Sequence, residues 1–93
     1  MDMINAIESK KYRIENWSTT MLFGYQSLQG NVYGHEEFED GTYIVACMIT
    51  SVSENGIVTT IKGSEYTLGE VDPNYETEYN NAKERLIKAW ENV

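Results

Sequence analysis

Seven glycines, at 24, 30, 34, 41, 56, 63 and 69, punctuate the chain at intervals of four to fifteen residues, and none follows Gly69. Glycine adopts positive φ without a Cβ penalty, so this rhythm predicts short strands joined by tight turns up to residue 69. The glycine-free remainder is free to be helical. The shift marks a boundary between elements rather than between domains, and neither a repeat nor a low-complexity linker interrupts the chain.

The clearest hairpin joins Tyr43–Val52 to Ile57–Lys62 through Ser53-Glu54-Asn55-Gly56, where Asn-Gly supplies the positive φ of a tight reversal. A second turn at Gly63-Ser64, of the Gly-first kind, folds Glu65–Leu68 back to complete a three-stranded meander. Upstream, Tyr12–Trp17, Thr20–Ser27 and Gln29–Tyr33 are rich in aromatic and branched residues and read as shorter strands, with Gly24 and Gly30 as bulges or kinks. The run from Tyr43 to Ile49 is apolar on both faces, which predicts a central strand covered twice, by the curled sheet and by a helix or a second subunit.

That helix is expected over 72–93. Asp72 is a suitable N-cap, Pro73 suits the first turn, and Glu76 and Glu78 sit near the positive end of the dipole. Tyr75, Tyr79, Ala82, Leu86, Trp90 and Val93 recur at helical spacing, with Ile87 broadening the stripe. Residues 1–9 read as a lead-in, either one short helical turn over Ile4–Ser9 or no ordered element. The expected fold is therefore mainly β (α+β): one domain over 1–93, with a small curled antiparallel sheet or barrel of five to six strands over 10–69 and one amphipathic C-terminal helix.

With 93 residues, one core is all the chain can sustain. The longest apolar run is too short to cross a bilayer, and the N-terminus lacks a secretory pattern, so a cytoplasmic protein without a membrane role is expected. A single cysteine, Cys47, excludes an intrachain disulfide or a multi-cysteine metal site. A net charge of −8 disfavours non-specific nucleic-acid binding, although Lys10, Lys11 and Arg13 cluster in sequence and can serve a small anionic ligand.

Chemistry-bearing residues concentrate between Val32 and Gly41, with the only histidine, His35, beside Glu36, Glu37, Glu39 and Asp40. Imidazole and carboxylate together can bind a divalent ion or relay a proton, but the spacing fits no metal motif. The plainer reading is a solvated loop bracketed by Gly34 and Gly41, with Phe38 tucked into the core and the acids facing water. Cys47 reads as a core residue, since burial suppresses thiol reactivity. Ser18, Thr19 and Thr20 read as groups bonded to their own backbone, and the helix start lacks a phosphate loop. Aromatics on the strands, among them Trp17, Tyr25 and Tyr33, serve either the core or a ligand. No cofactor, metal or catalytic residue is expected.

The succession Trp17-Ser18, Gly30-x-Val32-Tyr33-Gly34-His35-x-x-Phe38-x-Asp40-Gly41-x-x-Ile44, Gly63-Ser64-x-Tyr66-x-Leu68-Gly69 and Asp72-Pro73-x-Tyr75 resembles a family of short uncharacterised phage and bacterial proteins. The resemblance spans roughly residues 12 to 79 and carries over no functional residue. It implies a phage or mobile-element setting, in which small non-enzymatic proteins inhibit host defence. Three readings follow. The first is a binding protein sequestering a small nucleotide-like ligand through Lys10, Lys11, Arg13, Trp17, Tyr25, Tyr33 and His35, with Lys62 as a further candidate cation. The second is an acidic inhibitor presenting Glu36, Glu37, Glu39 and Asp40 to a basic host protein, as a nucleic-acid mimic would. The third and weakest is a small enzyme using His35. A homodimer or higher homo-oligomer is expected with either binding reading, because an uncovered strand or helix face leaves an apolar patch.

Overall fold

In the computed structural model, which describes residues 10–91, five strands close into a barrel in simple sequence order. They are β1 (Lys11–Leu22), β2 (Tyr25–Tyr33), β3 (Thr42–Val52), β4 (Ile57–Thr60) and β5 (Glu65–Leu68). Neighbours in the chain pair antiparallel, while β1 pairs with β5 in parallel, from Lys11 opposite Glu65 to Ile14 opposite Leu68. An odd-numbered meander closed on itself requires this, because its first and last strands run the same way. The expected mainly β architecture is thus found, with one parallel seam in an otherwise antiparallel sheet.

The upstream strands differ from expectation. One long strand, β1, replaces the end of Tyr12–Trp17 and the start of Thr20–Ser27, and the reversal falls at Phe23-Gly24 with φ of 53° and 83°. Gly24 is therefore a turn residue rather than a bulge. Length is gained through a kink: Asn16 takes a φ of 53°, and the β1–β2 register shifts between Glu15 and Ser18. The kink turns Trp17 fully inward, where its indole N–H donates to the Gly69 carbonyl at 3.1 Å. Gly30 lies across from it, and a Cβ there would stand 2.8 Å from the Glu15 carbonyl oxygen and 2.9 Å from Ile14 Cγ1. The strands cross closely only because that position is bare.

The Ser53–Gly56 turn forms as expected, although Gly56 alone takes positive φ, and Ser53 Oγ accepts from the amides of Asn55 and Ile57. The second turn is wider than expected, since β4 ends at Thr60 and Gly63, at φ 86°, donates back to the Thr60 carbonyl.

The helical span is interrupted: α1 is Pro73–Glu78 and α2 is Ala82–Ala89. Asp72 caps α1 by accepting from the Asn74 amide. Asn81 then adopts the left-handed conformation, which asparagine tolerates better than most residues, and the Glu76 carboxylate accepts from the amides of Asn81 and Ala82. Ala82 and Leu86 are buried, with Tyr75, Ile87 and Trp90 packed against the core. Ile4–Ser9 and Val93 lie outside the described residues.

The core is filled by Ile14, Trp17, Leu28, Val32 and Val58, all sealed from solvent. The helices cover the barrel end that carries the β1–β2 hairpin, where Trp90 Nε1 donates to Gln26 and the Thr19 and Tyr75 hydroxyls are bonded. They do not cover the outer face of β3. Tyr43 and Val45 remain 49% and 50% exposed, so the run expected to be covered twice is covered once in the described chain. No helix among the described residues is long and apolar enough to cross a membrane.

Candidate ligand cleft

At the barrel end away from the helices, unequal strand lengths open a cleft. β3 has 11 residues and β4 only 4, and β4 pairs with β3 no earlier than Ile49. The first half of β3, from Thr42 to Cys47, pairs with β2 on one side and with no described strand on the other. The resulting space is about 340 Å3. Ile44, Val45, Ala46 and Cys47 form one wall, and Thr60, Lys62, Ser64 and Tyr66 of the β4–β5 reversal face them. Lys10 and Tyr12 enter from the start of β1, and His35 to Phe38 close the remaining side.

The segment between Gly34 and Gly41 is a structured loop. Asp40 Oδ1 accepts from the Gly34 amide at 2.9 Å, the Gly41 amide donates to the Val32 carbonyl, and His35 Nδ1 accepts from the Glu37 amide at 3.0 Å. The imidazole lies between two rings, stacked on Tyr12 and met edge-on by Phe38 at 4.8 Å. Phe38 is 40% exposed and braces His35, rather than entering the core as expected.

Charge in the cleft is balanced. Lys10 pairs with Glu36, whose hydrogen bond and charge hold the ammonium pKa above its ordinary value. Glu37 and Lys62 also border the space, giving two cations and two carboxylates. Deeper in, burial pushes the Tyr66 hydroxyl up to about 12 and raises Tyr12 in the same direction. Their rings are 5.4 Å apart.

Of the seven residues first expected to hold a ligand, Lys10 and His35 meet here, joined by the further candidate Lys62. Lys11 points to solvent on β1. Arg13 lies over the Tyr33 ring at 4.4 Å and pairs with Glu15 at 2.8 Å, away from the cleft. Trp17 is sealed in the core, and Tyr25 stands at the β1–β2 hairpin, 58% exposed. The structure thus brings two of the seven together in one cleft and places the other five elsewhere. Among the acids, Glu36 and Glu37 border the cleft, Asp40 is spent on the Gly34 amide, and Glu39 offers its carbonyl to Thr42.

Sequence reasoning missed Tyr12, Phe38 and Tyr66 as cleft residues and put Cys47 in the core, whereas it is half-buried on the wall. The signal was the mismatch between a long apolar strand and the short strand after Gly56, which leaves one strand edge without a neighbour among the described residues. Among the described residues, no group of three His, Cys, Asp or Glu side chains is placed to hold a metal ion. The chain matches no protein-family model, no curated protein and no solved structure.

Proposed function

We propose that the protein is a non-catalytic binding module that takes a small, ring-bearing, nucleotide-like ligand into the cleft between β3 and the β4–β5 reversal. The observation that carries this reading is the cleft itself. Its volume of about 340 Å3 falls in the range of small-molecule sites, and an apolar wall faces aromatic rings with lysines at the mouth. Two cations against two carboxylates suit a ligand of low net charge, such as a nucleoside or its monophosphate, better than a polyphosphate.

The state of His35 supports binding over catalysis. Its Nδ1 is engaged by backbone and its ring is clamped between Tyr12 and Phe38, while Asp40 bonds Gly34 rather than the imidazole. A general base needs a nitrogen free to meet a substrate proton and a partner that orients it. The acidic-inhibitor reading is weaker for a similar reason, because Glu36 is paired with Lys10 and Asp40 with the Gly34 amide. A sink for a small signal also fits the phage or mobile-element setting implied by the Trp17 to Tyr75 pattern.

Titration of isotope-labelled protein with adenosine monophosphate, followed by amide chemical shifts, tests the reading. Shifts confined to Ile44–Cys47, Thr60–Tyr66 and the 34–38 loop, weakened in Lys62→Glu, are expected. Saturating shifts elsewhere, with the cleft silent, would contradict it.

A further inference from the structure

From Asn16 to Gly34 the chain carries no acidic or basic side chain, although 24% of its residues are charged. This segment forms the β1–β2 hairpin, whose tip is apolar and solvent-facing: Met21 is 67%, Phe23 91% and Tyr25 58% exposed. Phe23 also holds a φ of 53°, in a two-residue reversal whose preferred residue at that place is asparagine. A bulky residue is thus kept in the left-handed region and in water, where asparagine would satisfy the turn at lower cost.

Beside the hairpin lies a groove of about 210 Å3 between Gln26 and the helices. Tyr79, Ala82, Leu86 and Ala89 give it an apolar lining, with Arg85 also bordering it. Its chemistry suits an aromatic side chain, with the tilted rings of Tyr75 and Tyr79 at 4.9 Å between centroids and a guanidinium to lie over an incoming face. The space exceeds the roughly 150 Å3 that accommodates benzene in an apolar protein cavity. Phe23 is too exposed to be filling its own groove.

We infer that two copies of this chain clasp each other about a two-fold axis, each placing Phe23, with Met21 beside it, in the groove of the other. Three observations select a second copy. The projection and its complement occur on one chain, so a two-fold axis makes both contacts at once. A net charge of −8 drives copies apart except where a contact avoids carboxylates, and the hairpin is the long stretch without any. The exposed Met21, Leu22, Phe23, Tyr25 and Tyr79 present roughly 600 Å2 per copy, so these residues can supply up to about 1,200 Å2 of buried surface from two copies, the lower bound for a specific interface. The expected homodimer thereby acquires a face distinct from the ligand cleft.

Sedimentation equilibrium on the full chain, with Phe23→Asn and Ala89→Arg, tests this. Asparagine before glycine is the preferred pair for this turn, and an arginine at Ala89 suits the end of α2, so both variants are expected to fold. The wild type is expected to dimerise more tightly as salt screens its negative charge, and each substitution to weaken dimerisation at least tenfold. A wild-type chain that stays monomeric up to about 100 µM overturns the proposal, as does a dimer that survives either substitution. Monomeric protein that binds phosphatidylcholine vesicles through Phe23 also overturns it, and assigns the hairpin to a lipid surface instead.

Discussion

The imidazole of His35 lies flat on the ring of Tyr12, with centroids 4.0 Å apart and planes 19° from parallel. Because Tyr12 is fixed in the barrel, this contact fixes one wall of the cleft, and Phe38 closes over the other side of the imidazole. His35→Ala is expected to cost about 1 kcal/mol in urea unfolding and to speed amide exchange across 34–41. His35→Phe retains the stacking and is expected to keep most of both. Equal loss in the two variants would show that the imidazole nitrogen, rather than the ring, holds the loop.

Gly30 and Gly24 both have positive φ, yet they are expected to respond differently to alanine. At Gly24 no described residue lies within 4 Å of an added Cβ, so the cost expected is that of backbone strain, about 1 kcal/mol. At Gly30 the added atom meets the Glu15 carbonyl oxygen and the Trp17 Cα at 2.8 and 3.0 Å, and backbone yields poorly. Gly30→Ala is therefore expected to cost about 3 kcal/mol in urea unfolding and to red-shift Trp17 fluorescence. Equal costs at the two positions would contradict the close crossing of β1 and β2.

Tyrosine burial sets an alkaline limit. Tyr66 is raised to about 12 and Tyr12 upward from the ordinary value near 10, both mainly by desolvation. The folded state therefore keeps protons that the unfolded chain releases, so stability is whole below about pH 10 and falls as pH rises toward about 12. Urea midpoints measured at about pH 8, 10 and 11 are expected to decline only over the last interval, and Tyr66→Phe to flatten that decline. A midpoint independent of pH up to about 11 would contradict the burial of Tyr66.

The parts of this fold legible in the sequence are those set by local chemistry. Gly56 and Gly63 marked turns because positive φ is a local demand, and Asp72-Pro73 marked a helix start because capping is local. The failures lie where tertiary contact overrides pattern. Trp17 read as either a core or a ligand-stacking residue, and the Asn16 kink turns it inward, while Asn81 breaks the helix through a carboxylate five residues upstream. The cleft was legible only in part, as Lys10, His35, Glu36, Glu37 and Lys62. Its other residues converge through strand register and the unequal lengths of β3 and β4, which no short window of sequence contains.

Native mass spectrometry of the protein purified from cells, followed by denaturing release of anything it carries, tests the binding function most directly. A discrete nucleotide-like mass, one per chain and lost from Lys62→Glu, is the result expected for a ligand held in the cleft. A chain that carries no small molecule and instead retains a basic macromolecule, released as salt rises, would contradict it.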